Sequence, residues 1–157
     1  ENVNFRRCQH GLAPVQSDQG LMSVAKDHAE WMARQRNLSH QSTIAGRTNV
    51  AMRIKAVVNR PKAGSENIGY VHRYRVDEID HFFARPQTCN FVTQAGQTIV
   101  QHSYASLAQR IVGLWMNSPS HRVNLLADNV SIVGNAIALD ENGPYCGVYY
   151  MAQNFAG

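Results

Sequence analysis

Three short patches of this chain put chemistry-bearing residues at the edges of regular elements. Leu38-Ser39-His40 closes a helical pattern, and Ser65-Glu66-Asn67-Ile68-Gly69 opens a β-compatible run. The third, Trp115-Met116-Asn117-Ser118-Pro119-Ser120-His121-Arg122, sets a histidine just past a Ser-Pro break. Two histidines and one carboxylate are the ingredients of a small polar cleft. Neutral imidazoles are good ligands for divalent zinc, and a catalytic zinc site uses three protein ligands with an open position for water. His40, His121 and Glu66 meet that count, so zinc is the expected ion; alternatively, Glu66 is the base that holds a metal-bound water. The competing reading makes the same three a hydrogen-bonded network that ties two helix ends to the sheet without doing chemistry. Asn67 and Ser118 are expected to line the cleft. Asn67 fits a hydrogen bond to backbone, and Ser118 a helix cap, because neither a base nor an oxyanion hole is legible around its hydroxyl.

Positioning these patches takes several helices and a small sheet. The first ten residues suit one or two helical turns ending at Gly11. After a cap at Ser17 or Asp18, Leu21, Ala25, His28 and Met32 recur at helical spacing, giving an amphipathic helix to about Arg36 with His28 on its apolar stripe. A shorter helix is expected from Thr48 through Val57, and Glu66 to Val71 reads as a strand. Residues 71–103 are long for a structureless loop; a short helix near Asp77–Phe83 and a role in covering the cleft are expected there, with Phe82, Phe83 and Phe91 as an apolar lid. His72, His81 and His102 fall in or beside this stretch without metal-ligand spacing. Tyr104, Leu107 or Ala108, Ile111 and Trp115 mark a helix that Ser118-Pro119 ends, and Ser120 is set to cap one further turn, His121 to Leu126. Ser131–Leu139 and Tyr145–Asn154 read as strands joined by a turn through Asn142-Gly143. Helices early and an antiparallel sheet weighted to the end make the chain α+β.

At 157 residues the chain is read as one domain, 1–157. No apolar run approaches the roughly 20 residues that span a bilayer. The net charge of +4 rests on scattered arginines with no basic stripe, which excludes a nucleic-acid footprint but allows weak attraction to an anionic surface. The chain starts at Glu1 rather than Met, as expected if a signal peptide or another upstream piece has been removed. Three cysteines carry no zinc-finger or redox spacing. Cys89 lies in the long loop and Cys146 in a strand pattern, so a Cys89–Cys146 bridge would staple that loop to the sheet. The other pairings, and three buried thiols, stay open.

Taken in order, these patches resemble the CAP superfamily (cysteine-rich secretory protein, antigen 5 and pathogenesis-related 1; also SCP/PR-1-like), in its bacterial form. The matching residues are Gly11-Leu12, Leu21…Ala25…His28…Met32…Ser39-His40, then Glu66-Asn67-Ile68, then Trp115-Met116-x-Ser118-Pro119-x-His121-Arg122-x-Asn124-Leu125-Leu126. The tail Ile132-Val133-Gly134…Gly143…Tyr149-Tyr150…Gln153-Asn154-Phe155 continues them. The resemblance implies an α-β-α sandwich with a cleft on one face and a tetrad of two histidines and two acids. His40, His121 and Glu66 match three of the four; the second acid falls on Ser118, which removes one negative charge. Residues 71–103 stand as an enlarged loop region. The resemblance further implies a secreted, periplasmic or cell-envelope protein, expected to be a monomer and to bind a lipid or sterol, or an envelope or host protein. A zinc-dependent peptidase or esterase using the same cleft, and an envelope scaffold with a relic cleft, are the alternatives.

Overall fold

The helix Gln19–Gln35 (α2) is set by its ends and its stripe. The Asp18 carboxylate accepts from the Leu21 N–H at 2.8 Å, satisfying one orphan donor of the first turn. Leu21, Val24, Ala25, His28, Ala29 and Met32 bury one face. Arg36 then turns left-handed, φ 50°, and its N–H closes on the Ala33 and Met32 carbonyls.

The computed structural model describes residues 2–157, and Glu1 lies outside them. In chain order the other elements are α1 (Asn2–Gln9), β1 (Gln16–Ser17), α3 (Val50–Lys55), β2 (Gly64–His72), β3 (Phe82–Arg85) and β4 (Asn90–Thr93). They are followed by α4 (Tyr104–Asn117), α5 (Pro119–Leu125), β5 (Ile132–Asp140) and β6 (Val148–Ala156). A four-stranded sheet in the order β1-β5-β6-β2 is antiparallel except for the β1–β5 pair.

Alternation along each strand sends side chains to two different helical layers. On one face Ile68, Val148, Tyr150 and Ala152 pack under Ala25, Ala29, Trp31 and Met32 of α2. On the other, Val71, Val133, Met151 and Phe155 pack under Leu107, Ile111, Val112 and Trp115 of α4. This is the expected α-β-α sandwich. A Cβ on Gly134 would lie 2.1 Å from the Leu21 carbonyl carbon, so only glycine lets α2 lie this close to β5. Arg7 of α1, 1% exposed, pins that helix to the far layer by donating to Ala13 O at 2.8 Å, Leu125 O at 2.9 Å and Ala127 O at 2.8 Å.

Residues 71–103 depart from expectation. The helix expected near Asp77–Phe83 shrinks to a four-residue 3-10 turn, Arg75–Glu78, and Phe82 begins an antiparallel ribbon, β3–β4. This region has its own small core of Val76, Phe91 and Ile99. Phe91 is fully buried within it rather than offered as a lid, while Phe83 is 64% exposed. A Cys89–Cys146 disulfide ties the ribbon to the turn between β5 and β6, and Cys8 on α1 is the exposed free cysteine.

Two boundaries also move. Ser118, not Ser120, is the N-cap residue of α5, because Pro119 fits the first helical position where its missing N–H costs nothing. The last strand starts at Val148, since Pro144–Cys146 forms a 3-10 turn with Tyr145 and Cys146 at φ 51° and 62°.

Candidate functional site

Glu66 sits on β2 facing α2, with its side chain fully buried. Its partner is a residue the sequence reading passed over. Arg53, also fully buried, donates from Nε to Oε2 at 3.0 Å and from Nη2 to Oε1 at 2.8 Å. The same guanidinium donates to the His40 carbonyl at 2.6 Å and the Arg47 carbonyl at 3.1 Å. Arg53 therefore holds the His40 loop and the Glu66 carboxylate together. His40 completes the cluster through Nδ1, 2.8 Å from Glu66 Oε1, and its side chain is 46% exposed. With Nδ1 directed to a carboxylate, the ring turns Nε2 outward. Behind them His28 is fully buried, its Nε2 2.9 Å from the Ser39 carbonyl and 3.8 Å from Glu66 Oε1. Burial lowers its pKa, outweighing the pull of Glu66.

His121 enters from the other side, on α5. Its Nδ1 is 2.8 Å from Ser118 Oγ, so Ser118 orients the ring as well as standing at the helix cap. Burial first, and the charge of His40 second, lower the pKa of His121. Asn67 points to the opposite face of the sheet from Glu66. Its Nδ2 reaches the His121 carbonyl at 3.2 Å and Gln153 Oε1 at 3.3 Å, and its Oδ1 accepts from Asn124 Nδ2 at 2.9 Å. The backbone role expected of Asn67 is present, but Asn67 lies behind the cleft, not on its wall.

Asn67, Gln153 and Asn135 are register partners on β2, β6 and β5. Gln153 Nε2 donates to Asn135 Oδ1 at 2.7 Å, so a row of amides crosses three strands beneath α4. This row ends at a cavity of about 300 Å³ between α1, α4 and the sheet. Val3, Leu107, Ala108, Ile111, Val112, Trp115, Ala136, Ile137, Met151 and Ala152 form its apolar wall. Its polar lining is Asn2, Tyr104, Asn135 and Gln153, and no charged side chain lines it among the described residues. The wall depends on a close fit: a Cβ on Gly69 would stand 2.6 Å from Ile111 Cδ1, and its absence lets Trp115 Nε1 donate to the Ile68 carbonyl at 3.0 Å.

In the sequence both features show only as polar residues on otherwise apolar faces, with nothing to name their partners. Arg53 lies at i+3 from Val50 and beside Ile54 on the inward face of α3, where an apolar residue is expected. Asn135 and Gln153 interrupt otherwise apolar faces of their strands.

The three-layer fold belongs to one class of domain. The profile of the Cysteine-rich secretory protein family, CAP, matches residues 1–155, and the chain belongs to that family. No curated protein matches it in sequence. Among solved structures it is similar to an outer surface protein of Borrelia burgdorferi, at 16% identity and TM-score 0.63, covering 99% of this chain and 86% of that one. It is also similar to an extracellular SCP-domain protein of Bacillus anthracis, at 20% identity and TM-score 0.62, covering 98% and 37%. A third likeness is to a cysteine-rich secretory protein of Staphylococcus aureus, at 16% identity and TM-score 0.52, covering 99% and 35%. The chain therefore spans little more than a third of the Bacillus and Staphylococcus proteins.

The metal expected at His40, His121 and Glu66 can be set against the donor chemistry. A metal ligand needs lone pairs free to turn to the ion. Here both Glu66 oxygens accept from Arg53, and one of them from His40 as well. Among the described residues no group of three or more His, Cys, Asp or Glu side chains is arranged to hold a metal ion. As arranged, Glu66 and Arg53 form an internally neutralised ion pair with the half-exposed His40 ring beside it.

Proposed function

We propose that this domain is an extracellular binding module that takes a small lipid in the cavity between α1, α4 and the sheet. The observation that carries the reading is the cavity wall itself: ten apolar side chains, four neutral polar ones and no charge among the described residues. A volume of about 300 Å³ stands at the lower end of small-molecule sites, suited to one chain of medium length. The His40–Glu66–Arg53 cluster then acts as a structural clamp on the opposite side of the sheet. An extracellular setting is supported by the disulfide, a bond that persists in oxidising compartments, and by similarity to proteins described as outer surface, extracellular or secretory. No helix among the described residues is long and apolar enough to cross a membrane.

The test is displacement of a polarity-sensitive fluorescent fatty-acyl probe by a panel of single-chain lipids and a sterol. Saturable binding is expected, lost when Ala108→Trp fills the cavity from its half-buried position while thermal unfolding stays near that of the parent. Absence of saturable binding across the panel, or binding indifferent to Ala108→Trp, would remove the reading.

A further inference from the structure

We infer that Asn135 and Gln153 form a headgroup subsite at the cavity mouth that selects an uncharged oxygen acceptor, an ester, amide or hydroxyl, over a carboxylate; this rests on the cavity being the lipid site. Gln153 is 1% exposed and held at both ends of its amide. Its Oε1 accepts from Asn67 Nδ2 at 3.3 Å, and its Nε2 donates to Asn135 Oδ1 at 2.7 Å. Asn67 is itself fixed by Asn124 at 2.9 Å and by the His121 carbonyl at 3.2 Å. The sense of the whole row is therefore set from the α5 end.

The consequence falls on Asn135, which is exposed and lines the cavity. Since its Oδ1 is taken by Gln153, its NH₂ group faces the other way, and no described residue accepts from it. A preoriented donor at the mouth of an apolar cavity asks for an acceptor on the ligand. Which acceptor follows from charge. The polar groups available, Asn2, Tyr104, Asn135 and Gln153, are all neutral. A carboxylate drawn from the exposed mouth onto the Asn135 donor would give up part of its hydration with no cation to replace it, and that costs more than one neutral hydrogen bond returns. An ester, amide or hydroxyl gives up much less and gains the Asn135 donor.

The experiment compares decanoate, decanamide and 1-monodecanoylglycerol at pH 7.5, where the acid is ionised, by calorimetry or displacement of the fluorescent probe. The two neutral ligands are expected to bind at least roughly ten-fold more tightly than decanoate. Asn135→Leu, at an exposed position, should cost the neutral ligands roughly five-fold, the worth of one net hydrogen bond, and leave decanoate almost unchanged. Asn135→Lys should reverse the order in favour of decanoate. Decanoate binding as tightly as decanamide to the parent, or Asn135→Leu weakening all three alike, overturns the headgroup assignment while leaving the cavity as a lipid site. Failure of all three to bind, with the probe also silent, removes the cavity reading and the subsite with it.

Discussion

Arg53 grips Glu66 with two hydrogen bonds, 3.0 Å and 2.8 Å, where both side chains are fully closed to solvent. Breaking one side of such a pair leaves the other charge buried and uncompensated. Arg53→Met and Glu66→Gln are each expected to lower unfolding stability by about 3–5 kcal/mol in urea titrations. The double change Arg53→Met/Glu66→Leu should recover much of the loss. Additive losses in the double variant would mean that the two side chains act separately.

The same grip bears on metal. With the Glu66 oxygens engaged, a calorimetric titration with zinc at neutral pH is expected to show no saturable single-site heat. The comparison is with His40→Ala/His121→Ala. One-site binding in the parent, lost in that variant, would show that the carboxylate leaves Arg53 for the ion.

Acid should weaken the fold through buried imidazole. The His102 side chain is fully buried; Nδ1 is 3.0 Å from Ser106 Oγ, and Nε2 is 3.8 Å from Glu78 Oε1. Burial lowers its pKa, ahead of the opposing pull of Glu78 and Asp77, and Arg75 and Arg110 push the same way as burial. Between the folded value and the unfolded value of about 6.5 the unfolded chain binds more protons, so stability rises with pH there. It is complete above about pH 6.5 and is lost as pH falls through the folded value. Melting temperature followed from pH 7.5 downward should fall, and His102→Asn should flatten part of that slope; His28 and His121, lowered in the same direction, contribute to it, and the lowered Asp77 and Glu78 carboxyls add to it at more acid pH. A curve for His102→Asn parallel to the parent's would exclude His102 as a contributor.

The disulfide closes a loop of 57 residues. On the chain-entropy account Cys89→Ser/Cys146→Ser should cost about 4 kcal/mol, within the usual range of 2–5 for a native bridge. Hydrogen exchange should show the largest loss of protection in β3–β4, whose own core is only Val76, Phe91 and Ile99. A uniform loss across β5 and β6 would mean that the bridge supports the main sheet.

Much of the sandwich was legible because its periodicities are strong. The α2 stripe from Leu21 to Met32 and the alternating tail from Ile132 to Phe155 each bury one face against a partner, so local pattern and tertiary packing agree. Region 71–103 was not legible for the opposite reason. Its strands are four residues each and its core is small, so neither period runs long enough to read. The His40–Glu66 pairing could be anticipated from motif order. Arg53 could not, because nothing in a six-residue helix says that a charged residue on its buried face has a carboxylate waiting across the sheet edge. The amide row was hidden similarly: Asn67, Gln153 and Asn135 become neighbours only through the β2–β6–β5 register.

The Cys89–Cys146 bridge has one more consequence, which concerns proteases. Between its two ends lie β4, α4, α5 and β5, most of the cavity wall and the whole His121 arm. A cut anywhere in that span, for instance in the exposed turn at Asp128-Asn129, leaves both pieces joined by sulfur and packed against the same sheet. Such a nicked molecule keeps its mass on a non-reducing gel and separates only after reduction, so outside the cell this half of the domain can lose chain continuity without coming apart.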